Sequence, residues 1–195
     1  MSYREIIAYL DDLADPEVAA HSRRYFKTGK GEYGYGDKFL GIRVPVLRKA
    51  AKLFQDTSEA ELIKLPKSEY HEARLLSLLL LVSQFSKGSE DKKEIIYNLY
   101  LKHTDYINNW DLVDTSAHKI IGVWLAGLDR SKLYGLANSK SLWERRISII
   151  STFHFIKNGD YSDALKLCET LINDSEDLIH KAVGWMLREI GNQDR

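Results

Sequence analysis

The sequence predicts an all-α chain built from stacked helical hairpins, on three observations. Helix-start signals recur along its 195 residues, strand signals are nearly absent, and two distant stretches repeat one pattern.

Two of the three prolines sit where a helix should open. Asp15-Pro16-Glu17 reads as N-cap, first helical residue and first-turn acid. Val44-Pro45 opens a helix whose inner face carries Leu47, Ala50, Ala51 and Phe54. Ser2-x-x-Glu5 and Ser58-x-x-Glu61 have capping-box spacing, in which each side chain bonds the other's free backbone N–H. Together these signals predict helices near 2–13, 16–27, 45–55, 58–64, 68–86, 89–103, 110–126, 130–137, 141–157, 160–173 and 176–190. Gly29 to Gly36 holds four glycines in eight residues and reads as a flexible, tyrosine-bearing surface loop. No Gly-Lys-Ser/Thr follows it, which argues against a nucleotide site.

The internal repeat sets the architecture. Glu72-Ala73-Arg74-Leu75-Leu76-Ser77 leads through Phe85 to Lys87-Gly88, as Glu144-Arg145-Arg146-Ile147-Ser148-Ile149 leads through Phe155 to Lys157-x-Gly159. Each copy continues into another amphipathic helix and then an acidic-apolar segment, Asp111-Leu112-Val113-Asp114 or Asp177-Leu178-Ile179-His180. Antiparallel helical hairpins repeated in this way signal an α-solenoid of the HEAT type in a single domain over 1–195; a compact helical bundle is the competing arrangement. Asp114 stands where the later copy has His180, so the fold does not require a carboxylate there.

Composition narrows function by exclusion. Hydrophobic residues make up 44% and charged residues 29%, as in ordinary water-soluble domains. Lys plus Arg equals Asp plus Glu, so any nucleic-acid-binding surface must be local. The N-terminus lacks an apolar signal segment and Leu78–Val82 is too short to span a membrane, so a cytoplasmic location is expected. The lone Cys168 lies in an apolar helical pattern and reads as a buried structural thiol. Six histidines form no His-x-x-x-His pair, which predicts neither metal nor cofactor, and there is no Gly-x-Ser-x-Gly elbow.

The candidate chemistry centres on Asn109-Trp110-Asp111-Leu112-Val113-Asp114. Trp110 and Asp114 are four residues apart and share a helix face, placing a π surface beside a carboxylate. That pairing suits a cation, or a group that becomes cationic in a transition state. Trp124 is expected to pack in the core. Arg145 and Arg146 point about 100° apart, so both should not be buried together, and one could grip a phosphate. Two basic clusters, Arg23-Arg24-Lys27-Lys30 around Tyr25 and Arg43-Arg48-Lys49-Lys52, suit a nucleic-acid backbone, although nearby acids such as Asp11 and Glu17 offset them.

The run from Asn109 to Asp114 resembles the signature of the AlkD-type DNA alkylation repair family. Tyr25-Phe26-Lys27 with Phe39-Leu40-Gly41-Ile42-Arg43-Val44-Pro45, the arginine helix Leu142–Ile149 and the late tryptophan helix His180–Glu189 are similar to further blocks of that family, in its order. The resemblance implies a HEAT-like superhelix holding duplex DNA in a concave groove. It implies hydrolysis of the N-glycosidic bond of cationic alkylated purines, such as 7-methylguanine and 3-methyladenine, without metal or cofactor; a monomer is the default expectation. It further implies that this happens without the usual extrahelical base pocket. By position it makes Asp114 the catalytic carboxylate and Trp110 and Trp185 the aromatics flanking the lesion. Arg146, Tyr25, Arg48 and Lys52 become DNA-binding residues. Members of the family usually continue through further helices beyond the late tryptophan helix. A non-catalytic DNA-structure-binding relative and a protein-binding scaffold are the alternative readings.

Overall fold

A computed structural model describes residues 1–193, and among these there are helices and no strands, apart from one isolated bridge between Lys38 and Tyr70. The chain divides into two compact units. The first comprises Met1–Ser89 with Asp105–Leu112; the second comprises Glu90–Thr104 with the chain from Val113 onward.

The first unit contains α1 (Tyr3–Asp12), α2 (Pro16–Tyr25), α3 (Val44–Leu53), α4 (Glu59–Leu62) and α5 (His71–Lys87). Ser2 and Glu5 form the predicted capping box, and Asp15 caps α2 through the N–H groups of Glu17 and Val18. The second predicted box does not form. The Ser58 side chain makes no cap bond, the Glu61 N–H donating instead to the Ser58 carbonyl at 3.0 Å, while the Glu61 carboxylate accepts from the Tyr3 N–H at 2.6 Å and from Lys64 at 2.5 Å. Helix α5 is the centre of this unit, with an unbroken buried run from His71 to Leu81. A helix apolar all round must be enclosed on every side. Its first turn is the exception in chemistry, carrying the buried charged or titratable groups His71, Glu72 and Arg74. The glycine-rich loop is more ordered than a flexible surface loop. Successive turn bonds hold it, including Gly34 N–H to the Lys27 carbonyl at 3.1 Å, and Gly34 itself is buried.

The second unit contains α6 (Glu90–Lys102), most of α7 (Trp110–Ala117), α8 (Val123–Leu125), α9 (Ser131–Ala137), α10 (Leu142–Ser151), α11 (Phe153–Lys157), α12 (Ser162–Leu171) and α13 (Asp177–Gln193). The helix predicted over 110–126 forms, but with a π-helical stretch at His118–Gly122 joining α7 to α8. Such insertions are frequent at functional sites. Gly122 lies in it because a Cβ there would sit 2.3 Å from the Ser151 carbonyl oxygen. The helix predicted over 141–157 is broken at Thr152, whose hydroxyl bonds the Ile149 carbonyl at 2.7 Å. Cys168 is buried on α12 and burial pushes its thiol up to about 11, so it is a packing group. Trp124 is half-buried and stacks on Tyr97 at 5.7 Å rather than entering the core. No helix is long and apolar enough to cross a membrane, and among the described residues no cluster of His, Cys, Asp or Glu could hold a metal ion.

Candidate active site

Helix α7 carries functional candidates in both units, and each set is built from its own surroundings.

In the second unit the Asp114 carboxylate is gripped by Arg146 from α10. Nε donates to Oδ1 at 2.9 Å and Nη2 to Oδ2 at 2.8 Å, the bidentate geometry of the strongest carboxylate pairs. The third nitrogen, Nη1, donates to the Leu178 carbonyl on α13. Arg146 is thus tied on two sides and only 5% exposed, whereas the Asp114 side chain keeps 19% of its surface open. Each carboxylate oxygen has two lone pairs, and the arginine occupies one on each.

The aromatic neighbours in this unit form a row. His118, one turn after Asp114, meets Phe153 edge-on at 5.3 Å, and Phe153 meets Trp185 at 5.4 Å. The Trp185 indole N–H donates to Glu189 one turn on, at 3.1 Å, which sets the ring's orientation. Burial, helped by the charge of Lys119, lowers His118 to about 4, so this imidazole is neutral at ordinary pH.

Only one of the adjacent arginines is buried, as expected: Arg146, with Arg145 half-buried. Neither is a free surface cation. Arg145 pairs with Asp174, Nε to Oδ2 at 2.6 Å, and its Nη1 donates to the carbonyls of Ser139 and Lys140. Both guanidiniums are paired because each leaves the helix toward its own carboxylate and its own backbone carbonyls.

In the first unit Trp110 belongs to an aromatic wall. Its ring lies 5.5 Å from Phe26, nearly parallel, and 6.0 Å from Tyr25, which is 59% exposed. These rings line a cleft of about 800 Å³ with Val18, Ile42 and Asp111. The turn that leads into the lining residue Ile42 contains Gly41, at φ +86°, where a Cβ would sit 2.1 Å from the Asp15 carbonyl oxygen. The buried Glu72 carboxylate anchors this turn by accepting the N–H groups of Leu40, Gly41 and Ile42 at 2.9, 2.8 and 3.2 Å. Arg48 and Lys52 are exposed one turn apart on α3.

Sequence reasoning missed the charged cluster beneath this wall. His71 lies between two carboxylates, Nε2 at 2.7 Å from Asp111 Oδ2 and Nδ1 at 3.2 Å from Asp37 Oδ2. Arg74 completes the cluster, donating to Asp37 and, at 3.0 Å, to the Ser68 carbonyl. The signal was present in the repeat, which aligns Arg74 with Arg146. Both are buried and both divide their donors between an aspartate and a backbone carbonyl. In the later copy the residues matching Asp111 and Asp114 are Asp177 and His180, and both are exposed.

Among the described residues the class is that of a helical protein, with a carboxylate–arginine pair in its second unit and, in its first, an aromatic cleft over a buried ionic cluster. The chain belongs to the DNA alkylation repair enzyme family, whose model matches residues 6–195. Among solved structures it is similar to a predicted DNA alkylation repair enzyme from Enterococcus faecalis. The TM-score is 0.67 at 19% identity, over 93% of this chain and 84% of that one, a likeness of fold. Comparison with curated proteins gives no match.

Proposed function

We propose that the protein is a monofunctional DNA glycosylase that releases cationic alkylated purines, such as 7-methylguanine and 3-methyladenine, from duplex DNA, as a HEAT-like α-solenoid acting without metal or cofactor. The observation that carries this reading is the Asp114–Arg146 pair. A carboxylate is held rigidly by an almost fully buried guanidinium while part of its surface stays open.

An alkylated purine already bears positive charge and leaves without prior protonation. As its bond to the sugar breaks, the charge moves to the deoxyribose as an oxocarbenium ion. In this reading Asp114 faces that ion with the open part of its carboxylate and orients the attacking water. Arg146 positions the carboxylate through two of its five N–H groups and donates a third to the Leu178 carbonyl; it is also the residue that, in this reading, helps hold DNA beside Asp114. Trp110 and Trp185 supply π faces, each contributing about 0.5–2 kcal/mol toward a cationic sugar. Tyr25, Arg48 and Lys52 meet the DNA backbone from the exposed surface of the first unit.

A second reading, a non-catalytic DNA-structure-binding relative, draws on the fact that both Asp114 oxygens are already engaged. Incubation with duplex DNA carrying 7-methylguanine, followed by chromatography of the released base, separates the two. Base release by the wild type that is lost in Asp114→Asn supports the glycosylase. DNA binding without release supports the alternative.

A further inference from the structure

The strongest unexplained feature is the buried ionic cluster beneath the aromatic wall of the first unit. The side chains of Asp37, His71 and Arg74 are 5%, 3% and 5% exposed, and that of Asp111 is 14% exposed. Burying four charged or titratable groups is costly unless every one is paired, and apolar replacements often pack as well or better. The cluster does not seat the neighbouring turn, since Glu72 already holds Leu40–Ile42. Its outlet is α7, because Asp111 is the residue next to Trp110 and both line the cleft.

Two routes lead from His71 to Trp110. One is the short hydrogen bond to Asp111 in the first turn of α7. The other is a stack of rings: His71 lies 4.7 Å from Phe39 and 5.0 Å from Phe26, and Phe26 lies on Trp110. The imidazole thus reaches both the backbone entry of the tryptophan and the ring beneath its indole, whose N–H bonds the Tyr33 hydroxyl at its own edge.

We propose that Asp37, His71 and Asp111 form an imidazole bridge whose role is to position Trp110, making Asp111 and His71 positioning residues for whatever Trp110 contacts. The proposal rests on the reading of Trp110 as a lesion-facing residue. The charged groups facing His71 are Asp37 from the loop before Phe39, Asp111 from α7, and Arg74 through Asp37; Phe26 and Phe39 bring no charge. Burial disfavours the imidazolium, but the Asp111 charge and the hydrogen bonds to both carboxylates outweigh it and raise His71 to about 9. The bridge is thus a cation between two anions at ordinary pH, and loses its proton only in alkali.

The test uses the full chain with 5-fluorotryptophan incorporated, the Trp110 resonance being assigned through Trp110→Phe. The fluorine signal of Trp110 is expected to shift with a midpoint near pH 9 and to stop titrating in His71→Gln. A signal that does not move through that range in the wild type overturns the proposal. The second measurement is a double-mutant cycle on base release. Asp111→Asn is expected to lower kcat about tenfold, as loss of an orienting partner typically does, with KM little changed. Combined with Trp110→Ala it should cost nothing further, because both changes remove the same oriented indole. Losses that multiply, and that follow the melting temperature, would show a merely structural cluster and overturn the proposal. If the wild type released no base, the glycosylase reading would fall, and the fluorine titration would still decide whether the bridge governs Trp110.

Discussion

Arg146 holds Asp114 by both oxygens while its third nitrogen is fastened to the Leu178 carbonyl, so the carboxylate is referenced to α10 and α13 at once. A carboxylate fixed in this way loses little orientation when charge develops before it, which is the condition for electrostatic catalysis.

Asp114→Asn should keep the helical fold, one amide oxygen still accepting from Arg146, but at a lowered melting temperature because the buried guanidinium loses its counter-charge. Single-turnover release of 7-methylguanine should fall by roughly 10²–10³-fold, the usual effect of removing one preorganised electrostatic partner. Release at the wild-type rate would remove Asp114 from the mechanism.

Arg146→Ala should act on stability as well as rate. It removes the bidentate partner of a partly buried carboxylate, and breaking such a pair costs about 3 kcal/mol or more. Urea unfolding should show a lowered midpoint with an unchanged slope. A variant as stable as the wild type would mean that water replaces the guanidinium freely.

Arg48→Ala with Lys52→Ala should weaken binding to any duplex alike. If both side chains meet phosphates, the slope of log affinity against log salt should become shallower by roughly 0.9 for each. An unchanged slope would place DNA elsewhere than α3.

Stability should fall in alkali through His71. Its folded value is raised to about 9 from 6.5, so the stabilisation it brings is complete below the unfolded value and is lost as pH rises through 9. Asp37 is shifted in the opposite sense. Burial opposes its charge, but the His71 hydrogen bond and the Arg74 charge outweigh that and lower it, so its contribution disappears only as pH falls below the normal carboxylate range. Thermal melts across pH should show the alkaline decline, and His71→Gln should flatten it.

Gly41→Ala should destabilise by more than about 1 kcal/mol, since alanine there meets both a positive φ and the Asp15 carbonyl. A melting temperature equal to the wild type would show that the turn can move away from α2.

Local rules settled the helices. Pro16 behind Asp15, Val44-Pro45 and the Ser2–Glu5 box act over a few residues, so their outcome needs no knowledge of the rest of the chain. The spacing of Trp110 and Asp114 on one helix is legible for the same reason. Glu61 shows the limit, because its predicted capping role is local but the Tyr3 N–H that its carboxylate accepts comes from far along the chain. The pairing of both arginines, the imidazole bridge and the cleft beside Trp110 were decided by tertiary structure alone. Each depends on which side chains meet across distances of 29 residues or more, and helical periodicity reports only which face of a helix a side chain takes, never the partner waiting there.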